Sequence, residues 1–269
     1  MKGKDIKASL ERILELLSRF RLPTLAREMG PAFVKAGRED ALPLLQDVLE
    51  MEAKDRHDRR VERLRHASHL PLGKTLDTLE RQRLPRPLLQ KIEHLSEGDW
   101  VDKAENVLAF GLPGVGKTHV ACAIGHSLVE RGYSVLFTPT FRLVQDLLAA
   151  KRDLQLPRAL RRLDVFDALV LDDIGYVQQA PEEVEVLFTL MAERYERRSM
   201  LITSNLVFSA WDRIFRNPMT TAAAIDRLVH HSVILEFNVP SYRAASATRK
   251  ADPAGAQPQA TRSETESHP

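Results

Sequence analysis

The sequence predicts an α/β fold, a parallel sheet flanked by helices and preceded by a small all-helical N-terminal domain. Three observations predict it. Short apolar or β-branched runs alternate with helical stretches between residues 106 and 237, the order expected of a parallel sheet covered on both faces. The first of these runs passes directly into a glycine-rich loop, "GLPGVGKTH". The first 66 residues carry no such alternation and instead repeat apolar residues at helical spacing.

Residues 5–21 place Ile6, Leu10, Ile13, Leu14, Leu17 and Phe20 on one stripe. "LPTLAREMGPAF" is then expected to break and restart the chain at Pro23 and at Gly30-Pro31. Residues 39–66 predict a long helix whose first half is apolar-striped. In its second half Arg56, Arg59, Arg60, Arg63 and Arg65 stand against Asp55, Asp58 and Glu62. Such a face is either solvated and laced with ion pairs, or a basic surface for a partner or DNA phosphates. From residue 67 a proline-punctuated connector leads into a second domain reaching residue 245. Its strands are predicted at 106–110, 134–138, 167–172, 199–203 and 232–237. Residues 246–269 are poor in apolar side chains and predict a disordered tail.

Composition excludes several classes. The 43% hydrophobic and 28% charged content fits an ordinary soluble globular protein, and a net charge of +2 gives no argument for nucleic acid by itself. Cys122 is the single cysteine, which rules out an intramolecular disulfide and suits a reducing compartment. No uncharged apolar run approaches the ~18 residues of a membrane span. The N-terminal "MKGKDIKASLERILELL" mixes acids into its apolar pattern, unlike a signal peptide. The expectation is a cytoplasmic protein without a membrane partner. His230 and His231 are adjacent, poor spacing for ligands on a helix, and no Cys/His cluster points to zinc.

The run "NVLAF" followed by "GLPGVGKTH" satisfies G-x-x-x-x-G-K-[ST] through Gly111, Gly116, Lys117 and Thr118. Glycines let the backbone turn tightly and bring N–H groups onto phosphate oxygens. The stretch Gly111, Leu112, Pro113, Gly114, Val115, Gly116, Lys117, Thr118 and His119 is therefore the predicted nucleotide cradle. Lys117 would place a point charge between the outer phosphates, and the Thr118 hydroxyl is sized to ligate Mg²⁺. A plain glycine-rich turn would not need the apolar strand before the loop and the apolar helix "VACAIGHSLV" after it.

A second strand end must then hold the metal. "ALVLDDIGY", residues 168–176, ends an apolar run in two adjacent carboxylates. Asp172 is assigned to Mg²⁺, through bound water. Consecutive side chains of a strand point to opposite faces, so Asp173 points elsewhere. It is the candidate that orients or deprotonates an attacking water. Asp reaches one methylene less far than Glu, which predicts slow hydrolysis. The alternative is that Asp173 caps the following turn at Gly175.

The order of further motifs carries a resemblance. "FRLPTLAREMG", "ENVLAFGLPGVGKTHVACAIG", "LVLDDIGY", "RYERRSMLITSN" and "AIDRLVHHSVILEFNVPSYR" resemble the AAA+ ATPases. The branch is the one containing the helicase loader DnaC, and the likeness is greatest to the IstB-type helper ATPases of insertion sequences. The resemblance covers nearly the whole chain. It implies ATP and Mg²⁺ as cofactors and hydrolysis to ADP and phosphate. It matches Asn205 to the sensor-1 position and Arg227 in "IDRL" to an arginine finger acting on a neighbouring subunit. Arg243 in "SYR" is matched to a sensor-2 arginine. For Arg227 a surface ion pair is the bland alternative, although the adjacent Asp226 would not face it on a helix. A finger supplied in trans implies a head-to-tail homo-oligomer, a ring or a spiral.

The family's members assemble on duplex DNA and help a partner transposase, and those partners are the expectation here. A DnaC-like replicative helicase loader is the alternative within the class. A P-loop kinase would have no use for "TSN" and "IDRL" in this order, and a nucleotide-gated scaffold that scarcely hydrolyses ATP is a third possibility. For DNA, the local excess of Arg142, Lys151, Arg152, Arg158, Arg161 and Arg162 over Asp146 and Asp153 offers phosphate contacts. A charged helix surface is the alternative. The absence of interleaved aromatics gives single-strand stacking little support.

Overall fold

The chain opens with three helices in the computed structural model, α1 (Lys2–Arg19), α2 (Pro23–Lys35) and α3 (Leu42–Ala67). The structure describes residues 2–175, 180–206, 210–211, 222, 225–226, 228–229 and 232–242. Pro23 sits in the first turn of α2, where its missing N–H is no loss. Ile13, Leu17, Met29 and Leu42 form a small core shared by the three helices. The expected break at Gly30-Pro31 is corrected: α2 runs through Pro31 to Lys35. Packing of Met29 and Phe33 on that core outweighs the one hydrogen bond that proline removes.

The charge-dense half of α3 is laced with ion pairs, Arg56–Glu52 and Arg65–Glu62 among them. It also clasps the chain around residues 130–132. Arg65 pairs with Glu130, Arg60 donates to the Gly132 carbonyl, and Val61 is buried in the larger core.

After the connector come α4 (Arg86–Leu95), α5 (Asp99–Asp102), β1 (Asn106–Gly111), α6 (Lys117–Glu130), β2 (Val135–Pro139), α7 (Thr140–Arg152) and α8 (Leu156–Leu163). Then follow β3 (Ala168–Asp172), α9 (Pro181–Arg194), β4 (Ser199–Ser204) and β5 (Ser232–Phe237). The strands lie in the order β2-β3-β4-β1-β5, every pair parallel. Each lies within one residue of its predicted bounds.

Alternate residues of one strand feed two separate cores. Val107 and Ala109 pack with Ile92, Val120, Ile124 and Leu128 of α4 and α6. Leu108 and Phe110 pack with Leu143, Leu147, Leu187 and Leu190 of α7 and α9. A sheet buried on both faces needs apolar side chains at consecutive positions, which is why these strands read as unbroken apolar runs. Because α6 leaves β1 toward one face and α9 follows β3 on the other, a crevice opens at the carboxyl ends of the strands.

The amino ends of the strands are tied shut. Asp167 accepts from the Ser134 N–H at 2.9 Å, from its hydroxyl at 2.7 Å and from Arg198 at 2.6 Å. Arg194, 1% exposed, donates to the carbonyls of Leu163, Phe166 and Ser199, each at 3.0 Å. Burial pulls its guanidinium down to about 10, so it stays charged at neutral pH. Among the described residues no helix is long and apolar enough to cross a membrane.

Candidate functional site

The crevice holds a cleft of about 460 Å³. The loop after β1 forms its floor. Gly116, at φ 102°, turns the chain into α6, a backbone conformation that L side chains rarely adopt. Gly111 leaves no room for a side chain, since a Cβ there would lie 2.8 Å from the Phe237 carbonyl oxygen. The first N–H groups of α6 have no partner within the helix and carry its positive end into the cleft.

Lys117, 7% exposed, folds over the loop. Its Nζ donates to the carbonyls of Gly111 at 2.7 Å and Leu112 at 2.9 Å, and to Asn205 Oδ1 at 2.7 Å. Thr118 donates to Asp172 Oδ1 at 2.8 Å. Thr203 donates to the same oxygen at 2.7 Å and accepts the Asp173 N–H at 2.8 Å. Asn205 Nδ2 donates to Asp173 Oδ1 at 3.0 Å. Asn205 thus joins Lys117 to Asp173, with its amide oriented by a donor on one side and an acceptor on the other.

Asp173 sits at φ 61°, in the left-handed region that Asp tolerates better than most residues. Its carboxyl lines the cleft. Burial raises it above the usual carboxylate range, and the charge of Asp172 adds to this; Lys117 and the Asn205 amide pull the other way. Thr118 and Asp172 offer hard oxygens side by side. That donor set fits Mg²⁺, which keeps several waters and takes phosphate oxygens for its remaining ligands.

Sequence reasoning missed the opposite wall. Lys74, Thr78, Leu79 and Glu80 come from the connector, well before the loop in the chain. His119 turns from the cradle toward them, its Nε2 3.1 Å from both the Thr78 hydroxyl and the Thr75 carbonyl. Tyr242 closes the cleft: its N–H donates to Gly114 at 2.8 Å, its hydroxyl to the Glu80 carbonyl at 3.2 Å, and Arg83 stacks 4.3 Å over its ring. Within the cradle Val115 is buried, while Leu112 is exposed and Pro113 lines the cleft. Thr203 lies in the "LITSN" stretch, where its polarity at a strand end was a signal. The connector gave none beyond its prolines.

Arg227, Arg243, His230, His231 and residues 246–269 lie outside the described residues. Of the basic set, Lys151 pairs with Glu185 at 2.5 Å. Arg152 at the end of α7, and Arg158, Arg161 and Arg162 on α8, are exposed and without an ion pair among the described residues.

A five-stranded parallel sheet, a phosphate loop after its first strand and polar ends on β4 beside that strand and on β3 beyond it define the AAA+ class of P-loop proteins. The family described as IstB-like ATP binding protein matches residues 16–250, and the chain belongs to that family. It is similar to an insertion-sequence ATP-binding protein of Sinorhizobium fredii, 45% identical over 236 residues, which span 86% of this chain and 79% of that one. It is also similar to the insertion sequence IS21 ATP-binding protein of Pseudomonas aeruginosa, 35% identical over 230 residues, 85% and 87% of the two chains. Among solved structures the DnaC helicase loader matches with a TM-score of 0.53 at 19% identity, covering 62% of this chain and 98% of that one. AMPPCP-bound DnaA from Aquifex aeolicus matches with a TM-score of 0.53 at 17% identity, covering 68% and 56%. At such identities the likeness is one of fold.

Proposed function

We propose that this chain is an ATP-dependent helper of transposition. It binds and oligomerises on duplex DNA as a ring or spiral, hydrolyses ATP slowly, and regulates a partner transposase in the cytoplasm. One observation carries the hydrolysis: Lys117, the Thr118–Asp172 pair and the Asn205–Asp173 pair converge on a single cleft. The insertion-sequence relatives support the setting. The family match includes the N-terminal helices from residue 16, which favours a transposition helper over a replicative helicase loader. Those helices are the proposed assembly and partner-contact domain, residues 1–66, ahead of the ATPase domain, residues 67–245.

The loop N–H groups and Lys117 would hold the phosphates, and Thr118 and Asp172 would hold Mg²⁺. The metal, when bound, neutralises charge on the phosphate oxygens. Asn205 and Asp173 then orient the attacking water, and Asp173 accepts its proton. Arg227 of a neighbouring subunit would supply a cation that stabilises the charge developing on the transferred phosphate, so turnover waits on assembly. Arg243 would complete the nucleotide contacts. Lys151, Arg152, Arg158, Arg161 and Arg162 would meet DNA phosphates without reading sequence.

The test is ATP hydrolysis and particle size with and without duplex DNA at several salt concentrations. DNA should raise both, and DNA affinity should fall steeply with salt. Arg227→Ala should lose the stimulation, and mixing it with Lys117→Ala should restore part of it. Turnover indifferent to DNA, or affinity indifferent to salt, would reject the reading.

A further inference from the structure

The peptide joining Asp172 to Asp173 is held from both sides by buried threonines. On one side the Thr140 hydroxyl donates to the Asp172 carbonyl at 3.0 Å. On the other the Thr203 hydroxyl accepts the Asp173 N–H at 2.8 Å and gives its only proton to Asp172 Oδ1. Each threonine is 1% exposed. They come from opposite neighbours of β3: Thr140 follows β2 and Thr203 lies in β4.

Side chains take part here because the paired register ends, with one backbone bond continuing past it from the Ile174 N–H to the Thr203 carbonyl at 3.0 Å. On β2 the register ends at Pro139, opposite Asp172. On the β4 side the paired residues end at Leu171 and Ile202. Past that point the chain turns through φ 61° at Asp173, a conformation that costs a non-glycine residue energy, though Asp less than most. Thr203 and Thr140 fix the plane of the 172–173 peptide, and that plane decides where both carboxylates point.

We propose that Thr140 and Thr203 are positioning residues for hydrolysis: they clamp the Asp172–Asp173 peptide and so set the water-orienting carboxylate against the metal-binding one. This rests on the reading of the cleft as an ATPase site. Thr140 does not line the cleft, and Thr203 reaches its lining with both functions of its hydroxyl committed to the clamp, so the clamp should govern turnover while leaving nucleotide affinity alone. Thr140 is also the first residue of α7, which leads to the exposed arginines of α8. The clamp is thus attached to the segment proposed to meet DNA.

The experiment compares Thr203→Val, Thr203→Ser, Thr140→Val and Thr140→Ser with the wild-type chain. It measures kcat at saturating duplex DNA, ADP affinity without DNA, and melting temperature. Misplacing a reacting group by about 1 Å can cost about a hundredfold in rate. Each Val variant should therefore lose tenfold to a hundredfold in kcat, with ADP affinity within about twofold of wild type. Each Ser variant, which keeps the hydroxyl, should recover most of the loss. Val variants with wild-type kcat overturn the proposal. So do Ser variants as slow as Val, which would assign the effect to the threonine methyl group. So does a parallel loss of ADP affinity or folding, which would make the threonines structural only. A wild-type chain with no turnover would fail at the first measurement, overturning the ATPase reading and the clamp together.

Discussion

The two ends of the same sheet treat polar residues differently. At the amino end Asp167 faces Arg198 and two donors of Ser134, and the buried Arg194 is wrapped by four carbonyls. The charge of Asp167 is answered by Arg198 and the guanidinium of Arg194 is spent on backbone carbonyls, and the result is a lock on the α8–β3 and α9–β4 connections. At the carboxyl end Asp172 and Asp173 are neighbours of like charge whose carboxylates receive hydroxyls and an amide, from Thr118, Thr203 and Asn205. Neutral donors orient a carboxylate without cancelling its charge. The difference separates polar groups that hold the fold from polar groups kept ready for a cation, a phosphate and a water.

The largest effect should come from the carboxyl end and appear only in turnover. Asp173→Asn keeps the shape and the Asn205 contact but removes the proton acceptor. General-base catalysis contributes about 10²- to 10⁴-fold, and DNA-stimulated hydrolysis should fall by that much with ATP still bound. Unchanged turnover would return Asp173 to the role of a turn residue and erase the contrast between the two ends.

Next in size is the matching change at the amino end. Arg194→Met keeps much of the buried volume and leaves four carbonyls without their donor. Leaving a buried carbonyl without its donor typically costs about 1–3 kcal/mol. Denaturant unfolding should show a loss of that order, while nucleotide affinity of the folded fraction stays the same. A loss below about 1 kcal/mol, the scale of a surface change, would mean that this end is held by something other than Arg194.

The sequence made one end far more legible than the other. The phosphate loop and "LVLDD" could be read because their chemistry needs fixed spacing after an apolar strand. The strands were legible because both faces of the sheet demand apolar side chains. Arg194 could not be recognised, since "ERYERRS" reads as a solvated charge run and only the fold turns one of its arginines inward. The connector wall was hidden for a different reason: Lys74, Thr78 and Glu80 reach the cleft through tertiary packing, with no local pattern to mark them. Thr140 was hidden likewise, because its partner is a carbonyl on a different strand. Pro31 misled because a local rule against proline in helices lost to the packing of Met29 and Phe33.

The smallest effect is a stability difference that depends on pH at one end of the sheet and not at the other. The folded-state carboxyl of Asp173 is raised above its ordinary value of 3.8, chiefly by burial. Above that ordinary value, and up to the raised one, the native chain holds a proton that the unfolded chain has released. Linkage then makes stability fall as pH rises through the window, and the deficit persists at neutral pH. Asp173→Asn removes the deficit. Without nucleotide or metal, the variant should melt above wild type near pH 7, and the gap should shrink as pH is lowered toward the ordinary carboxylate range. Arg194 behaves otherwise. Its guanidinium, lowered to about 10, titrates only in alkali, so the cost of Arg194→Met should be flat between about pH 5 and pH 8. A melting gap for Asp173→Asn that is equally flat would show that Asp173 is no electrostatic liability in the folded chain, and the carboxyl end of the sheet would then be as well compensated as the amino end.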